Sequence, residues 1–70
     1  MDNNVRQYRK KLGMTQADLS RISGVGRTTI SNVETGYTVP HVDVAILIAR
    51  ALGVSVEELF VVDVVSDTQI

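Results

Sequence analysis

Arg27, Thr28, Ser31 and Asn32 are the side chains of this 70-residue chain best suited to reading the edges of DNA bases. A helix through RTTISNV that turns Ile30 and Val33 inward at an i, i+3 step presents those residues and Thr35 outward. An arginine can donate two parallel bonds to guanine O6 and N7, and an asparagine can bond adenine N6 and N7 in the same way. Serine and threonine hydroxyls reach bases or phosphates, and the threonine methyl packs on the thymine methyl. Thr29 faces either a phosphate or the helix packing. The alternative is a solvated face, but such faces usually carry Glu and Lys pairs, and this one is poor in acid.

A second group of residues suits phosphate. Thr15 and Gln16 stand where a helix begins, and backbone N–H groups there point outward and can hold an anion. The other reading of Gln16 is a simple helix-start residue. Arg6, Lys10 and Lys11 are either phosphate contacts or ordinary surface charge. Other chemistries find little material. The chain has no cysteine and one histidine, so it offers neither a disulfide framework nor a metal-ligand set, and no metal is expected. No cofactor loop occurs, no cofactor is expected, and no histidine stands beside a nucleophile with an orienting acid. An enzyme is therefore not expected.

The elements that must position these residues are short helices. The first is predicted from about Asn4 to Leu12, with Val5, Tyr8 and Leu12 at helical spacing and a stop at Gly13. Thr15 caps the second, with Asp18 three residues on in the place of a capping-box Glu. This helix is expected to bury Ala17, Leu19 and Ile22 and to end at Gly24. The third starts near Gly26 and ends at Gly36. After the loop YTVP, Pro40 fits the entrance of a fourth helix, about His41 to Leu52, closed by Gly53. That helix is apolar nearly all round, which predicts burial on several sides. Ser55 and Glu58 form a full capping box for a fifth, which carries Leu59 and Phe60. The tail, VVDVVSDTQI, is β-branched and lacks the helical period, so a short strand or a loose end is expected. The fold class is all-α, with a domain over 1–60 and a tail over 61–70.

Two short helices joined by a glycine-bearing turn make a helix-turn-helix. Gln16 opens the unit, the small Ser20 allows a close crossing, Gly24 begins the turn, and Val25, Ile30 and Val33 lock the second helix onto the first. QADLSRISGVGRTTISNVETG resembles the helix-turn-helix of the Xre family, which includes the lambdoid phage repressors and Cro. The resemblance runs from Val5 to Phe60 and takes in Leu12-Gly13, Glu34-x-Gly36 and ARALGVSVEELF. It implies a compact five-helix, lambda-repressor-like domain that binds double-stranded DNA as a dimer and mostly represses transcription. It implies that Gln16 touches the sugar-phosphate backbone. It also implies that Arg9 and Glu34 form a largely buried ion pair with a structural role. Relatives of this kind include DNA-binding antitoxins and the control proteins of restriction systems.

Some positions depart from the family. Tyr37 and Thr38 follow Gly36 where Lys or Arg is common, which removes one or two phosphate contacts. His41 stands where Ser or Thr usually caps the fourth helix, and Leu47 where the family is polar.

Charge is split along the chain. Residues 1–37 carry six cations against three carboxylates, net +3, and residues 38–70 carry one against five, net −4. One basic half suits an anionic partner although the total is −1. The longest apolar run, VAILIA, is too short to span a bilayer, and the charged start MDNNVRQYRK is unlike a signal peptide. A soluble, cytoplasmic protein with no membrane partner is expected. The tail FVVDVV invites strand pairing, so Leu47, Phe60, Val61, Val62, Val64 and Val65 form the expected homodimer interface, and a frayed C-terminus is the alternative. The functional expectation is a sequence-specific regulator, most simply a repressor. Its competitor is a protein-interaction module or antitoxin-like partner that keeps the fold.

Overall fold

Thr15 and Ser55 begin their helices with the same device. Each hydroxyl accepts the backbone N–H of the residue three positions on, Asp18 and Glu58, at 3.0 and 3.1 Å. Each of those carboxylates takes the N–H of the capping residue in return, at 3.0 and 2.9 Å. Asp18 therefore closes the box as a glutamate would. A computed structural model describes residues 3–60. They form α1 (Val5–Lys11), α2 (Gln16–Ser23), α3 (Arg27–Glu34), α4 (Val42–Leu52) and α5 (Val56–Leu59). His41, at the N-cap of α4, makes no side-chain capping bond.

The core draws on every helix. Val5, Leu19, Ile30, Val33, Ile48 and Leu59 are fully buried, with Val25, Ala45, Ala49, Leu52 and Phe60 around them. Burying a side chain of this size stabilises by roughly 1.5–3 kcal/mol, which is why so small a domain can fold. α2 packs on both α3 and α4, and α1 and α5 close the ends.

Three inward assignments differ from those read in the sequence. In α1 the buried stripe is Val5 and Arg9, with Tyr8 half-buried, while Leu12 lies past the last turn and is 53% exposed. In α2 the stripe is Leu19 and Ser23, four residues apart. Ile22 falls at its edge and is 52% exposed, and Ala17 lies on the far side. Among the described residues, the buried positions of α4 form one stripe, Ala45, Ile48, Ala49 and Leu52, an i, i+3, i+4, i+7 set. Its neighbours pack from one side, so Val42, Ile46 and Leu47 stay exposed.

Among the described residues the β structure is one antiparallel bridge, Asn3 to Phe60, supported by the Asn4 N–H donating to the Leu59 carbonyl at 2.7 Å. The expected tail strand lies outside the described residues. Phe60 itself is 4% exposed and packs in the core of its own chain.

Candidate nucleic-acid interface

The turn between α2 and α3 sets the angle at which α3 leaves the body. Gly24 takes φ +78°, a left-handed conformation open to glycine at little cost. The Ser23 hydroxyl accepts the Val25 N–H at 3.1 Å, and Val25 is itself buried. Ile30 and Val33, both 0% exposed, then fasten α3 down.

The opposite face of α3 is polar and free of negative charge. Arg27, Thr28 and Thr29 are exposed at its N-terminal end, and Ser31 and Asn32 are half-buried along its flanks. Gly26 caps the helix without a side-chain bond, so its first N–H groups have no side-chain partner there. At the other end, the Asn32 carbonyl accepts from the Tyr37 N–H at 2.9 Å, the Thr38 N–H at 3.3 Å and the Thr35 hydroxyl at 3.2 Å. The loop therefore folds back under α3, and the Thr35 hydroxyl hydrogen is engaged there. Tyr37 is left 80% exposed.

Glu34 is the sole acid of α3, and it points inward. Its side chain is 3% exposed. Oε2 accepts from Arg9 Nε at 2.6 Å and Oε1 from Arg9 Nη2 at 3.1 Å, a bidentate pair. Arg9 Nη1 also donates to the Met14 carbonyl at 2.8 Å. Hydrogen bonding to Glu34 raises the Arg9 pKa further above its already high value, against the opposing effect of burial. The guanidinium stays charged, and the Glu34 carboxylate is matched inside the fold.

The phosphate candidates divide. Gln16 is half-buried, and its carboxamide Nε2 donates to Glu34 Oε1 at 3.2 Å, which leaves one of its two N–H bonds for another acceptor. Thr15 is exposed, with its oxygen accepting the Asp18 N–H in the capping box. On α1, Arg6 and Lys10 are an exposed i, i+4 pair to one side of Arg9, the residue that reaches the α2–α3 unit. Lys11 lies away from them, beside Asn4, Gln7 and Tyr8 in an open polar hollow. The Gln16–Glu34 bond and the loop bonds on Asn32 were missed in the sequence, and the first has no local signal because its partners are 18 positions apart. The Ser23 cap did have one, a serine just before the turn glycine.

Leu47 is 39% exposed, and Val61, Val62, Val64 and Val65 lie outside the described residues. Among the described residues no group of three His, Asp or Glu side chains is placed to hold a metal ion, and no helix is long and apolar enough to cross a membrane.

Known proteins share this arrangement. A family model described as Helix-turn-helix matches residues 5–59. An uncharacterised HTH-type transcriptional regulator of Archaeoglobus fulgidus is 40% identical over 63 residues, which is 90% of each chain. Control protein C.SmaI of Serratia marcescens is 39% identical over 56 residues, covering 80% of this chain and 67% of that protein. Among solved structures, the restriction-modification controller protein C.AhdI from Aeromonas hydrophila matches with a TM-score of 0.77 at 30% identity, over 81% of this chain and 86% of that one. By residues 5–59, and by a TM-score earned over most of its length, the chain belongs to the helix-turn-helix family and is an Xre-like DNA-binding transcriptional regulator.

Proposed function

We propose that the chain works as a homodimeric, sequence-specific repressor that lays α3 in the major groove of a pseudo-palindromic operator. The observation that carries this reading is the charge of the α3 face. Arg27 and the hydroxyl residues stand outward, and the helix's one carboxylate is turned into the fold and matched by Arg9. A surface meant for phosphate and base edges has to avoid unmatched acid, and this one does. Arg27, Thr28, Ser31 and Asn32 are the base-reading residues. Gln16, Thr15, Thr29, Arg6 and Lys10 are the phosphate-facing ones. In a two-fold dimer the two α3 helices meet successive major grooves about 34 Å apart. A DNA target of this kind goes with a cytoplasmic location.

The likeness to control protein C.SmaI and to the restriction-modification controller protein C.AhdI favours a role in the control of a restriction-modification system. Selection from a random duplex pool tests the whole reading. A two-fold motif with half-sites one turn apart is expected, and Arg27→Ala should lose preference at one position of each half-site, at about 1–3 kcal/mol per contact. Retention of DNA without any enriched motif would sink the groove-reading claim. The second reading, a protein-binding module, is favoured by the bare apolar surface of Val42, Ile46 and Leu47 on α4.

A further inference from the structure

The side of α4 opposite its buried stripe has an order of its own. With 3.6 residues to a turn, Asp43, Ile46, Leu47 and Arg50 fall within one sector of about 100° there. All four are exposed. Ile46 and Leu47, 41% and 39% exposed, stand side by side at the middle of the helix. Asp43 lies in the first turn and Arg50 in the last. Among the described residues neither of these charges has an ion-pair partner. Arg50 is also the sole cation of residues 38–70, and it falls on this face.

The pattern is its own complement. Asp43 stands three residues before Ile46, and Arg50 stands three after Leu47. Consider a two-fold axis that passes between Ile46 and Leu47 at right angles to the helix. The second α4 then runs antiparallel, with Ile46 opposite the partner's Leu47 and Asp43 opposite the partner's Arg50, and each contact occurs twice. At 1.5 Å per residue, Asp43 and Arg50 each lie roughly 5 Å from the axis along the helix, so both pairs meet in register. A parallel pair would instead set carboxylate against carboxylate and guanidinium against guanidinium, which repel. The charges therefore select one direction.

We propose that a second copy of this chain docks on this face of α4, antiparallel about that axis, with Ile46 against the partner's Leu47 and Asp43 against the partner's Arg50. Exposed ion pairs add little affinity, so the aliphatic side chains carry the contact and the charges set its direction. This contact gives the homodimer proposed above its surface and rests on that reading, but it needs neither the tail nor DNA.

Sedimentation equilibrium of the full chain at low salt, without DNA and over a range of concentration, tests it. The unaltered chain should dimerise. Asp43→Arg brings cations together at both ends of the helix pair, and Arg50→Asp brings carboxylates together. Each variant alone should dimerise roughly tenfold more weakly. An equal mixture of the two restores opposite charges at both ends, so it should form a heterodimer about as tight as the unaltered dimer. Such recovery between two chains cannot arise from a change in the fold of either. Single variants that dimerise as well as the unaltered chain would overturn this surface and leave the homodimer reading standing. Weakened variants that do not recover on mixing would overturn it too. A mixture that associates more tightly than the unaltered chain would mean parallel helices, and would also overturn it. An unaltered chain that stays monomeric throughout would overturn both the surface and the homodimer.

Discussion

Arg9 and Glu34 show at the scale of single residues how stability and function are kept apart in this domain. The pair is almost fully shielded, at 10% and 3% side-chain exposure, and bidentate. Removing one partner leaves a buried charge without its match. Glu34→Ala and Arg9→Ala should each cost about 3–5 kcal/mol in chemical denaturation, a large fraction of the stability of a small domain. Arg9→Met combined with Glu34→Leu should cost clearly less than either alone, because it removes both charges together. If the double variant is as unstable as the singles, the cost lies in lost packing and not in the unmatched charge. Resemblance to the family made this pair legible in the sequence. The third member, Gln16, was not legible, because a carboxamide reaching a carboxylate 18 positions away leaves no mark in spacing or composition.

At the scale of the element, helix ends were easier to read than helix faces. Capping is local chemistry between residues three apart, so Thr15 with Asp18, and Ser55 with Glu58, announce themselves. Which side of a helix is buried depends on what packs there. Ile22 and Leu12 looked inward by periodicity, yet Ser23 and Arg9 took the buried places because the α2–α3 turn and the ion pair needed them. The caps also carry predictions. The Thr15 N–H and hydroxyl, with a smaller contribution from Arg21, hold the Asp18 carboxyl below its usual range. The folded state therefore binds that proton less tightly than the unfolded chain does. The resulting stability is fully present above the ordinary aspartate value of about 3.9 and fades as pH falls through it toward the lowered folded value. In Asp18→Asn that acid-side loss should be smaller, as read by paired unfolding curves between neutral and acid pH. If the two proteins lose stability in parallel, the box carries no pH-linked contribution. α4 offers the opposite case. His41 has extended N-cap geometry, φ −66° and ψ 159°, but makes no capping bond. His41→Asp supplies a capping acceptor at the helix N-terminus, where so far the Val44 N–H donates to Asp43 Oδ1 at 2.9 Å, and should gain about 0.5–1 kcal/mol. An unchanged melting temperature would show that those N–H groups are already satisfied, by Asp43 at Val44 and by water elsewhere.

Across the whole molecule, the question is how a chain of net charge −1 holds a polyanion. The basic half is the one that carries α1, α2 and α3, and the acidic half carries α4, α5 and the tail. Association with DNA then depends on few cations, since Tyr37 and Thr38 occupy the loop where basic residues are common in the family. Helical spacing pairs Arg6 and Lys10 on one side of Arg9, which reaches Glu34 of α3, while Lys11 keeps to the hollow with Gln7. Two such phosphate contacts per chain make four in a dimer, and each released counterion contributes about 0.9 to the slope of log K against log salt. The slope should therefore be near −4, shallow for a protein that reads a two-fold site. Lys10→Ala, present in both copies, should flatten it by about 2, whereas Lys11→Ala should leave it unchanged. Measuring operator affinity for the three proteins over a range of salt separates the cases. A wild-type slope far steeper than −4 would mean that Lys11 or Arg21 also meets phosphate. A Lys11→Ala slope as flat as that of Lys10→Ala would mean that α1 lies along the DNA backbone on the side where Lys11 and Gln7 stand.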